Sequence, residues 1–392
     1  MFARLLSRRK ALARLALLGV ATLASACAPL ATGSGPQGPA LVPGEPVPVA
    51  LLVPAGGGPE GDLLARNLEN GARLAAADLS GVTIDLRVYP TGGDPAQATA
   101  AAQAAVAEGA AVVLGPLYGE ESAAAALAVA PQGVNVLSFS TNPAFAGNNL
   151  FILGPTFQNT ADRLVGYGRG LGIERYLVAH GNNPAGEAGR DAIVAAANSG
   201  GATVAAIEAY PVSQQGIAAA APRVLAAANA AGAQGIFSTA DASLDLPALA
   251  QGLTAAGYVA GTPRLLGLTR WNVLPGNLSL PALQGGLFAV PDQARLAAFE
   301  ARYRAAYGEA ANPVAALAYD GIAAVGALAA RGDAQALSRR SLTQGQGFQG
   351  TSGIFRLNAD GTNARGLAVA EIRNNQVVIV DPAPSSFGGA GL

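Results

Sequence analysis

The chain has 392 residues, of which 51% are hydrophobic, with 24 Lys+Arg, 25 Asp+Glu, one histidine and one cysteine. This length and apolar content suit two domain-sized units with large cores, and the single cysteine excludes a disulfide within the chain. Residues 1–26 hold five basic and no acidic side chains, so residues 27–392 carry 19 basic against 25 acidic groups. That balance argues against nucleic acid as a partner, because phosphate binding requires clustered positive charge.

The first residues have the pattern of an export signal. Basic side chains at 4–14 precede an uncharged apolar run at 15–23, and the small residues 24–26 lead to Cys27. A basic head, a short apolar core and small residues before a cleavage point are typical of a secretory signal, which is too short to span a bilayer as a mature helix. We therefore predict a lipoprotein signal peptide over residues 1–26. Both general and twin-arginine export stay open, since Ser7-Arg8-Arg9 matches part of the second motif.

The small residues that end in Cys27 resemble the bacterial lipobox, with Ala24 in place of the usual leucine. The resemblance implies that the thiol is acylated and anchors a periplasm-facing protein to the cell envelope. The alternative is a plain signal peptide with an incidental cysteine. Ala28, rather than aspartate, follows the cysteine. By resemblance to the sorting rule of enteric bacteria, this favours the outer membrane over the inner one.

After the signal, residues 27–46 are rich in Pro, Gly, Ala and Ser, and we predict a flexible tether. Short apolar runs then alternate with helical stretches. The predicted strands of this part are Val47–Val53, Val82–Val88, Ala111–Leu114 and Val134–Ser138. The predicted helices are Leu63–Asp78, a segment from the cap Asp94 to about Glu108, and Ser122–Ala130. Such alternation predicts a parallel sheet covered by helices on both faces.

The same pattern restarts in the second half. Its predicted strands are Tyr176–Ala179, Val204–Ile207, Gly235–Ser238, Leu265–Leu268 and Leu287–Val290. Its predicted helices are Gln158–Leu171, Ala188–Asn198, Ile217–Ala231, Leu246–Ala256, Gln293–Tyr307 and Pro313–Ala330. Antiparallel strands are expected at Gly353–Leu357, Leu367–Arg373 and Gln376–Val380, with the turn 358–361 joining the first two. The fold class is therefore α/β, with two lobes and a cleft beyond the carboxyl ends of the strands.

Several segments in this order resemble the type I periplasmic binding-protein fold, in its leucine/isoleucine/valine-binding branch. They are 49–54, Asn70-Gly71-Ala72, Gly115-Pro116-Leu117, 136–143, Ala318-Tyr319-Asp320 and 348–353. The resemblance covers residues 47–382. It implies multiple hinge crossovers, with lobe 1 at about 47–154 and 291–345 and lobe 2 at about 155–290 and 346–382. Residues 383–392 are expected to form a disordered tail.

Within that branch, two stretches look closest to lipoprotein activators of penicillin-binding proteins. They are the Leu-Leu-x-Pro strand followed by Arg66-Asn67 and Asn70-Gly71, and residues 107–117. This resemblance implies a non-enzymatic regulator of peptidoglycan synthesis whose partner is a peptidoglycan synthase. The alternative is a substrate-binding protein for an ABC permease, with a branched-chain or other amino-acid-like ligand. Neighbouring genes for a permease and an ATPase would favour this alternative.

Catalytic and metal chemistry find little support in the sequence. His180 is the only histidine, so imidazoles cannot cluster around a metal, and no Gly-x-Ser-x-Gly elbow accompanies it. The glycines at 56–58 lack the Lys-Ser/Thr of a P-loop and the dinucleotide fingerprint. We therefore expect no cofactor and no metal, and a structural or ligand-contact role for His180.

The candidate cleft residues are polar or aromatic side chains that follow predicted strands. The family resemblance implies that the loop with Ser138, Ser140, Thr141 and Asn142 offers hydroxyl and backbone donors to a ligand carboxylate. Tyr118 could cover the ligand. Asp241 could accept an ammonium group, and Arg270 and Trp271 could make a charged or a stacking contact. The alternative is that these hydroxyls cap helices and that Asp241 is an N-cap.

Two positions weaken or extend this interpretation. Receptors of the branch often carry Tyr-Gly at the start of the first long helix of lobe 2, where this chain has Asn182-Asn183-Pro184-Ala185-Gly186. Amino-acid binding is therefore less strongly implied than the fold. Asp320 lies within a predicted helix, and its family counterpart is usually structural or near the hinge, so it is a minor site candidate.

Overall fold

The computed structural model describes residues 38–388. Its first part alternates strands and helices, and β1 has the predicted bounds. The strands are β1 (Val47–Val53), β2 (Ile84–Pro90), β3 (Val112–Leu114), β4 (Asn135–Ser138) and β5 (Leu150–Ile152). The helices between them are α1 (Pro59–Asp78), α2 (Pro95–Ala107) and α3 (Gly119–Val129). As predicted, Asp94 caps α2 by accepting the backbone N–H of Gln97 at 2.8 Å.

These five strands form one parallel sheet in the order β2-β1-β3-β4-β5. Val49 of β1 pairs with Leu86 of β2 and with Val112 of β3. The central strands are buried on both faces, which is why they read as continuous apolar runs rather than alternating ones. This sheet is the centre of lobe 1.

The chain then builds a second sheet, the centre of lobe 2. Its helices are α4 (Phe157–Gly170), α5 (Pro184–Gly200), α6 (Gln214–Ala230) and α7 (Leu246–Ala255). Its first strands are β6 (Arg175–Gly181), β7 (Thr203–Tyr210), β8 (Gly235–Ser238), β9 (Arg264–Gly267) and β10 (Leu287–Val290). Short 3-10 turns at 271–283 lie between β9 and β10.

The chain returns to lobe 1 after β10. Helices α8 (Gln293–Tyr307), α9 (Pro313–Ala329) and the short α10 (Arg339–Leu342) follow. Helix α9 packs against α1 so closely at Gly71 that a Cβ there would overlap the carbonyl oxygen of Ala315. Leu68 of α1 and Ile322 of α9 are fully buried in the same core as Leu51 of β1. The return helices therefore complete the lobe 1 core.

The last strands are divided between the lobes. Strands β11 (Phe348–Gly350), β12 (Gly353–Leu357) and β13 (Asn363–Arg365) form a small antiparallel sheet. Strands β14 (Ala368–Arg373) and β15 (Gln376–Asp381) instead extend the lobe 2 sheet, whose order is β15-β14-β10-β9-β8-β6-β7. Strand β14 is antiparallel to β10, whereas β6 to β10 are parallel. The α/β class with two lobes and several crossovers is confirmed.

Two predictions about this region are wrong. The turn at 358–361 joins β12 to β13, and not to the strand that begins near 367, since Leu357 pairs with Asn363. The small sheet also packs with lobe 1, because Phe348 and Phe355 are buried in the lobe 1 core. Residues 346–365, which we assigned to lobe 2, therefore lie with lobe 1.

The chain crosses between the lobes at three places. The first crossover follows β5 at 153–156, the second follows β10 at 291–292, and the third follows β13 at 366–367. The Arg365 side chain, 4% exposed, donates to the carbonyl of Leu153 and lies 3.7 Å from the carboxylate of Asp320 in α9. The Asp292 backbone N–H donates to the Ser352 carbonyl at 2.9 Å. Polar contacts, buried at the first and third crossovers and half-buried at the second, thus join all three crossovers to lobe 1.

Part of each predicted flanking segment contacts lobe 1. Of the expected tether, residues 38–46 are described, and the Leu41 backbone N–H donates to Ala334 of lobe 1 at 2.8 Å. Of the expected disordered tail, residues 383–388 are described and carry Phe387 beneath the guanidinium of Arg356. The predicted signal peptide and Cys27 lie outside the described residues. In residues 38–388, none of the helices is both long enough and apolar enough to cross a membrane.

Candidate functional site

The crossovers show which edges of the two sheets lie at the hinge. The first leaves the carboxyl end of β5, a parallel strand of lobe 1, and enters α4 of lobe 2. The second leaves the carboxyl end of β10, a parallel strand of lobe 2, and enters α8 of lobe 1. The carboxyl edges of both sheets therefore lie on the hinge side. Loops at such edges are where α/β proteins bind ligands.

On the lobe 1 edge, a chain of hydroxyl groups shapes the loop after β4. Ser138 is fully buried, with its Oγ 2.6 Å from the Oγ of Ser122, and it accepts the backbone N–H of Ser140 at 3.0 Å. The Ser140 Oγ in turn accepts the N–H of Asn142 at 3.1 Å. Ser138 therefore holds the loop, and does not line the cleft as we predicted. Thr141 and Asn142 of the same loop are exposed.

Tyr118 lies at the neighbouring loop, after β3. Its side chain is 45% exposed, and its ring lies beside Gly93 of the loop after β2. Gly115 at the start of this loop has φ +84°, and a Cβ there would overlap the Leu52 carbonyl oxygen, so only glycine lets the loop approach β1. Tyr118 is thus held at the surface of this edge, where it can cover a ligand.

Beneath Tyr118 lies a buried acid that the sequence reasoning missed. Glu121, the third residue of α3, is 1% exposed, and neither carboxylate oxygen has a hydrogen-bond partner of normal geometry among the described residues. Burial raises the pKa of this carboxyl, and Thr91 and the Tyr118 backbone offset part of the rise. Its position three residues after the N-cap, typical of a capping box, was the available signal.

On the lobe 2 edge, Asp241 is exposed in the loop after β8. One carboxylate oxygen accepts the Ser243 N–H at 2.8 Å, as in a capping turn, and the Asp241 N–H donates to Asp245 at 2.6 Å. Asp245 is buried and accepts the hydroxyl of Tyr210 at 2.7 Å. These hydrogen bonds hold the loop in place. The second carboxylate oxygen of Asp241 has no hydrogen-bond partner in the described structure.

Arg270 and Trp271 follow β9 but have opposite environments. Arg270 is exposed, and its guanidinium makes no ion pair with any described residue. Trp271 is fully buried, 5.5 Å from the ring of Phe288, and fills the space left by the absent side chains of Gly267 and Gly286. The predicted stacking role of Trp271 is wrong, since its ring belongs to the lobe 2 core.

The other candidates are structural in the described arrangement. His180 is 4% exposed, with its Nδ1 3.1 Å from the carbonyl of Gly181. Asp320 is buried at the hinge and accepts the backbone N–H of Thr351 at 2.7 Å. Asn183 caps α5, whereas the side chain of Asn182 is exposed at the end of β6. Residues 38–388 contain no group of three His, Cys, Asp or Glu side chains that could hold a metal.

The site thus consists of exposed polar groups from two edges, at Tyr118, Thr141, Asn142, Asp241 and Arg270. A guanidinium and hydroxyl groups can bind a carboxylate, and a carboxylate can bind an ammonium group. Such a set can make hydrogen bonds and charged contacts to a small polar solute. Proton transfer or nucleophilic attack would require a base held against a nucleophile, and within residues 38–388 the His180 ring is hydrogen-bonded only to the carbonyl of Gly181.

Comparisons with known proteins agree with this architecture. A family model described as "Periplasmic binding protein" matches residues 46–376. None of the curated protein sequences matches the chain.

Among solved structures, a candidate branched-chain amino acid ABC transporter protein from Rhodospirillum rubrum is similar, with a TM-score of 0.72 and 19% identity over 86% of this chain and 99% of that one. An ABC transporter substrate-binding protein from Desulfitobacterium hafniense, solved with leucine, has a TM-score of 0.59 and 20% identity, over 86% of this chain and 100% of that one. A solute-binding protein from R. palustris, solved with benzoate, has a TM-score of 0.54 and 17% identity, over 89% and 99%. At these identities, the likeness establishes the shared fold.

Proposed function

The chain belongs to the periplasmic binding protein family, and we propose that it is a solute-binding protein that captures a small ligand between its lobes for an ABC permease. The observation that carries the proposal is that the carboxyl edges of both sheets lie on the hinge side, each with exposed polar groups, and that three crossovers join the lobes. A cleft between two such lobes can close around a solute and open to release it.

The proposed ligand is a small carboxylate, and an amino acid is the first candidate. Arg270 is an exposed guanidinium without an ion-pair partner in the described part of the chain, and Thr141 offers a hydroxyl from the opposite edge. The free oxygen of Asp241 suits the ammonium group of an amino acid. The leucine and benzoate of the similar structures share a carboxylate, which supports this class.

The comparisons support this function better than the activation of a penicillin-binding protein, which was our main prediction from the sequence. The similar structures named above are transporter or solute-binding proteins. Because these proteins are described as parts of ABC transporters, the ABC permease is the partner that we propose.

A thermal-shift screen of the full chain with leucine, other amino acids and benzoate tests the function. A ligand at about 100 times its dissociation constant stabilises the native state by about 2.7 kcal/mol, which raises the unfolding midpoint by a few degrees. Arg270→Gln should then weaken binding by about tenfold or more, since a charged hydrogen bond is lost. Arg340→Gln is the matched control, because Arg340 is exposed in lobe 1 away from both edges.

The two arms fail separately. If no compound raises the midpoint, the solute-binding function is wrong for these classes. If leucine or benzoate raises the midpoint and Arg270→Gln binds as tightly as the parent chain, the function stands and the assignment of Arg270 to the site is wrong.

We also propose that the protein faces the periplasm and is anchored to a membrane, the outer one by preference, through a lipid on Cys27. The family supports a periplasmic location, and the lipobox-like sequence supports the anchor. Cys27→Ser should release the protein from the membrane fraction and abolish its labelling by radioactive palmitate. Labelling that persists in this variant would contradict the anchor.

A further inference from the structure

The segment after β15 crosses the hinge, although it was expected to be disordered. Ala383 packs against the lobe 2 core. Pro384 packs against Gly366 of the third crossover, where a Cβ would lie 3.0 Å from the proline ring. The segment therefore starts on lobe 2 and passes directly over a hinge residue.

Its other end lies on lobe 1. The ring of Phe387 is 4.8 Å from the guanidinium of Arg356 in β12, and it packs against Gly347. The Gln349 amide donates to the Ser385 carbonyl at 3.5 Å. Because β11 and β12 pack with the lobe 1 core, Phe387 is attached to that lobe.

One buried arginine holds the lobe 2 end of both segments. The Arg163 Nε donates to the Leu367 carbonyl at 2.6 Å, just after the third crossover. Its terminal nitrogen donates to the Asp381 carboxylate at 2.5 Å and to the Pro382 carbonyl at 3.4 Å. Since Arg163 belongs to α4, the third crossover and the segment at 382–388 start from the same rigid point of lobe 2.

We propose that residues 382–388, the hinge strap, form a fourth connection between the lobes and stabilise the lobe arrangement described above. Four peptide steps separate Ala383 from Phe387, which span at most about 14 Å. A rotation of the lobes that moves the contact points of Ala383 and Phe387 further apart than this span must pull Phe387 from Arg356 and Gly347. A groove of about 360 Å³ beside Phe387, lined also by Asn159, Arg163 and Arg356, leaves room for such movement.

The strap thereby sets the balance between lobe arrangements. A contact made in only one of two arrangements shifts their populations by its own free energy. The cation–π contact between the half-buried Arg356 and Phe387 corresponds to a shift of about two- to fivefold. This device acts on the hinge itself, and so it is independent of which solute the cleft binds.

The test is a distance measurement on the full chain. Leu127 of lobe 1 and Val259 of lobe 2 are 77% and 70% exposed, so Leu127→Cys and Val259→Cys with Cys27→Ser give two spin-label sites. Pulsed electron resonance then reports the interlobe distances. Phe387→Ala and Arg356→Gln should each increase a second population about two- to fivefold, and termination after Pro382 should increase it further.

Arg340→Gln serves as the control, because it removes the same charge from an exposed part of lobe 1 outside the strap. Thermal unfolding of each variant confirms that it is folded. Distance distributions that coincide for the parent, Phe387→Ala and the terminated chain would overturn the proposal. So would an equal shift in Arg340→Gln, since a change outside the strap would then have the same effect as the loss of the strap's own contact.

Discussion

At the scale of single residues, position after a strand is a weaker guide to the cleft than it first looks. Arg270 and Trp271 are neighbours, yet one is exposed and the other fills the lobe 2 core. The deciding factor is the space beside Gly267 and Gly286, which neither residue's own sequence position reveals. Ser138 is a similar case. Its hydroxyl makes hydrogen bonds to Ser122 and to the backbone of Ser140, whereas we expected it to line the cleft.

Glu121 gives a prediction about pH. Its folded-state pKa is raised by burial, so the folded protein holds this proton more tightly than the unfolded chain. The resulting stability is fully present below the unfolded pKa and is lost as pH rises through the folded pKa. Glu121→Gln should flatten this fall, so the variant should gain stability relative to the parent between pH 4 and pH 8.

Urea unfolding across that pH range measures the effect. Glu120→Gln is the matched control, because Glu120 is the adjacent acid of the same helix and is exposed. Parallel pH curves for Glu121→Gln and the parent chain would show that the buried carboxyl is not linked to stability.

At the scale of elements, apolar runs and capping residues predicted most of the fold. Strands β1, β8, β10 and β12 and helix α8 have the predicted bounds. The missed strands β5, β11 and β13 are three residues long, too short to show any periodicity. Their extended shape comes from pairing with a neighbouring strand, as Phe151 of β5 pairs with Leu137 of β4 and Asn363 of β13 with Leu357 of β12. The predicted partner of β12 was wrong because the short strand β13 was missed.

Helix packing gives a second prediction, through two glycines. Gly71→Ala should push α1 away from Ala315 of α9 and cost about 1–3 kcal/mol of unfolding free energy, as overpacking does. Gly166→Ala should instead stabilise the protein by about 0.5–1 kcal/mol, because α4 has open space there and alanine is the better helix former.

Urea denaturation of the two variants measures both signs in one experiment. Equal effects of the two substitutions would mean that helix propensity dominates at both sites, and that the close approach of α1 and α9 relaxes without cost.

At the scale of the whole molecule, the hinge carries a buried ion pair that no local pattern predicted. Asp320 was only a minor site candidate in our sequence analysis. No sequence pattern indicated a role for Arg365, because its partners Leu153, Ser352 and Asp320 are distant in sequence. The two-lobed class followed from repeated strand–helix alternation. The assignment of segments to lobes could not be predicted, because it depends on contacts between residues that are distant in sequence.

The hinge pair leads to a third prediction. Arg365→Met should cost about 3–5 kcal/mol, because it leaves the Asp320 carboxylate buried without a compensating charge. Adding Asp320→Asn should recover most of that loss. Arg302→Met is the control, since Arg302 pairs with Asp78 at 2.9 Å at the surface and should cost less than about 1 kcal/mol.

Denaturant unfolding of the single and double variants decides the matter. A double variant as unstable as Arg365→Met would show that Arg365 acts through its hydrogen bonds to Leu153 and Ser352, and not through the charge of Asp320.

The antiparallel placement of β14 against β10 bears on how the protein is made. One edge of β10 is covered by β14, where Leu287 pairs with Glu371. In a nascent chain, that edge of β10 stays exposed until β14 has been synthesised. An uncovered strand edge is a template for pairing with other chains. Lobe 2 therefore cannot reach its final form before residues 368–381 have been synthesised, which leaves an interval in which a chaperone can hold it unfolded.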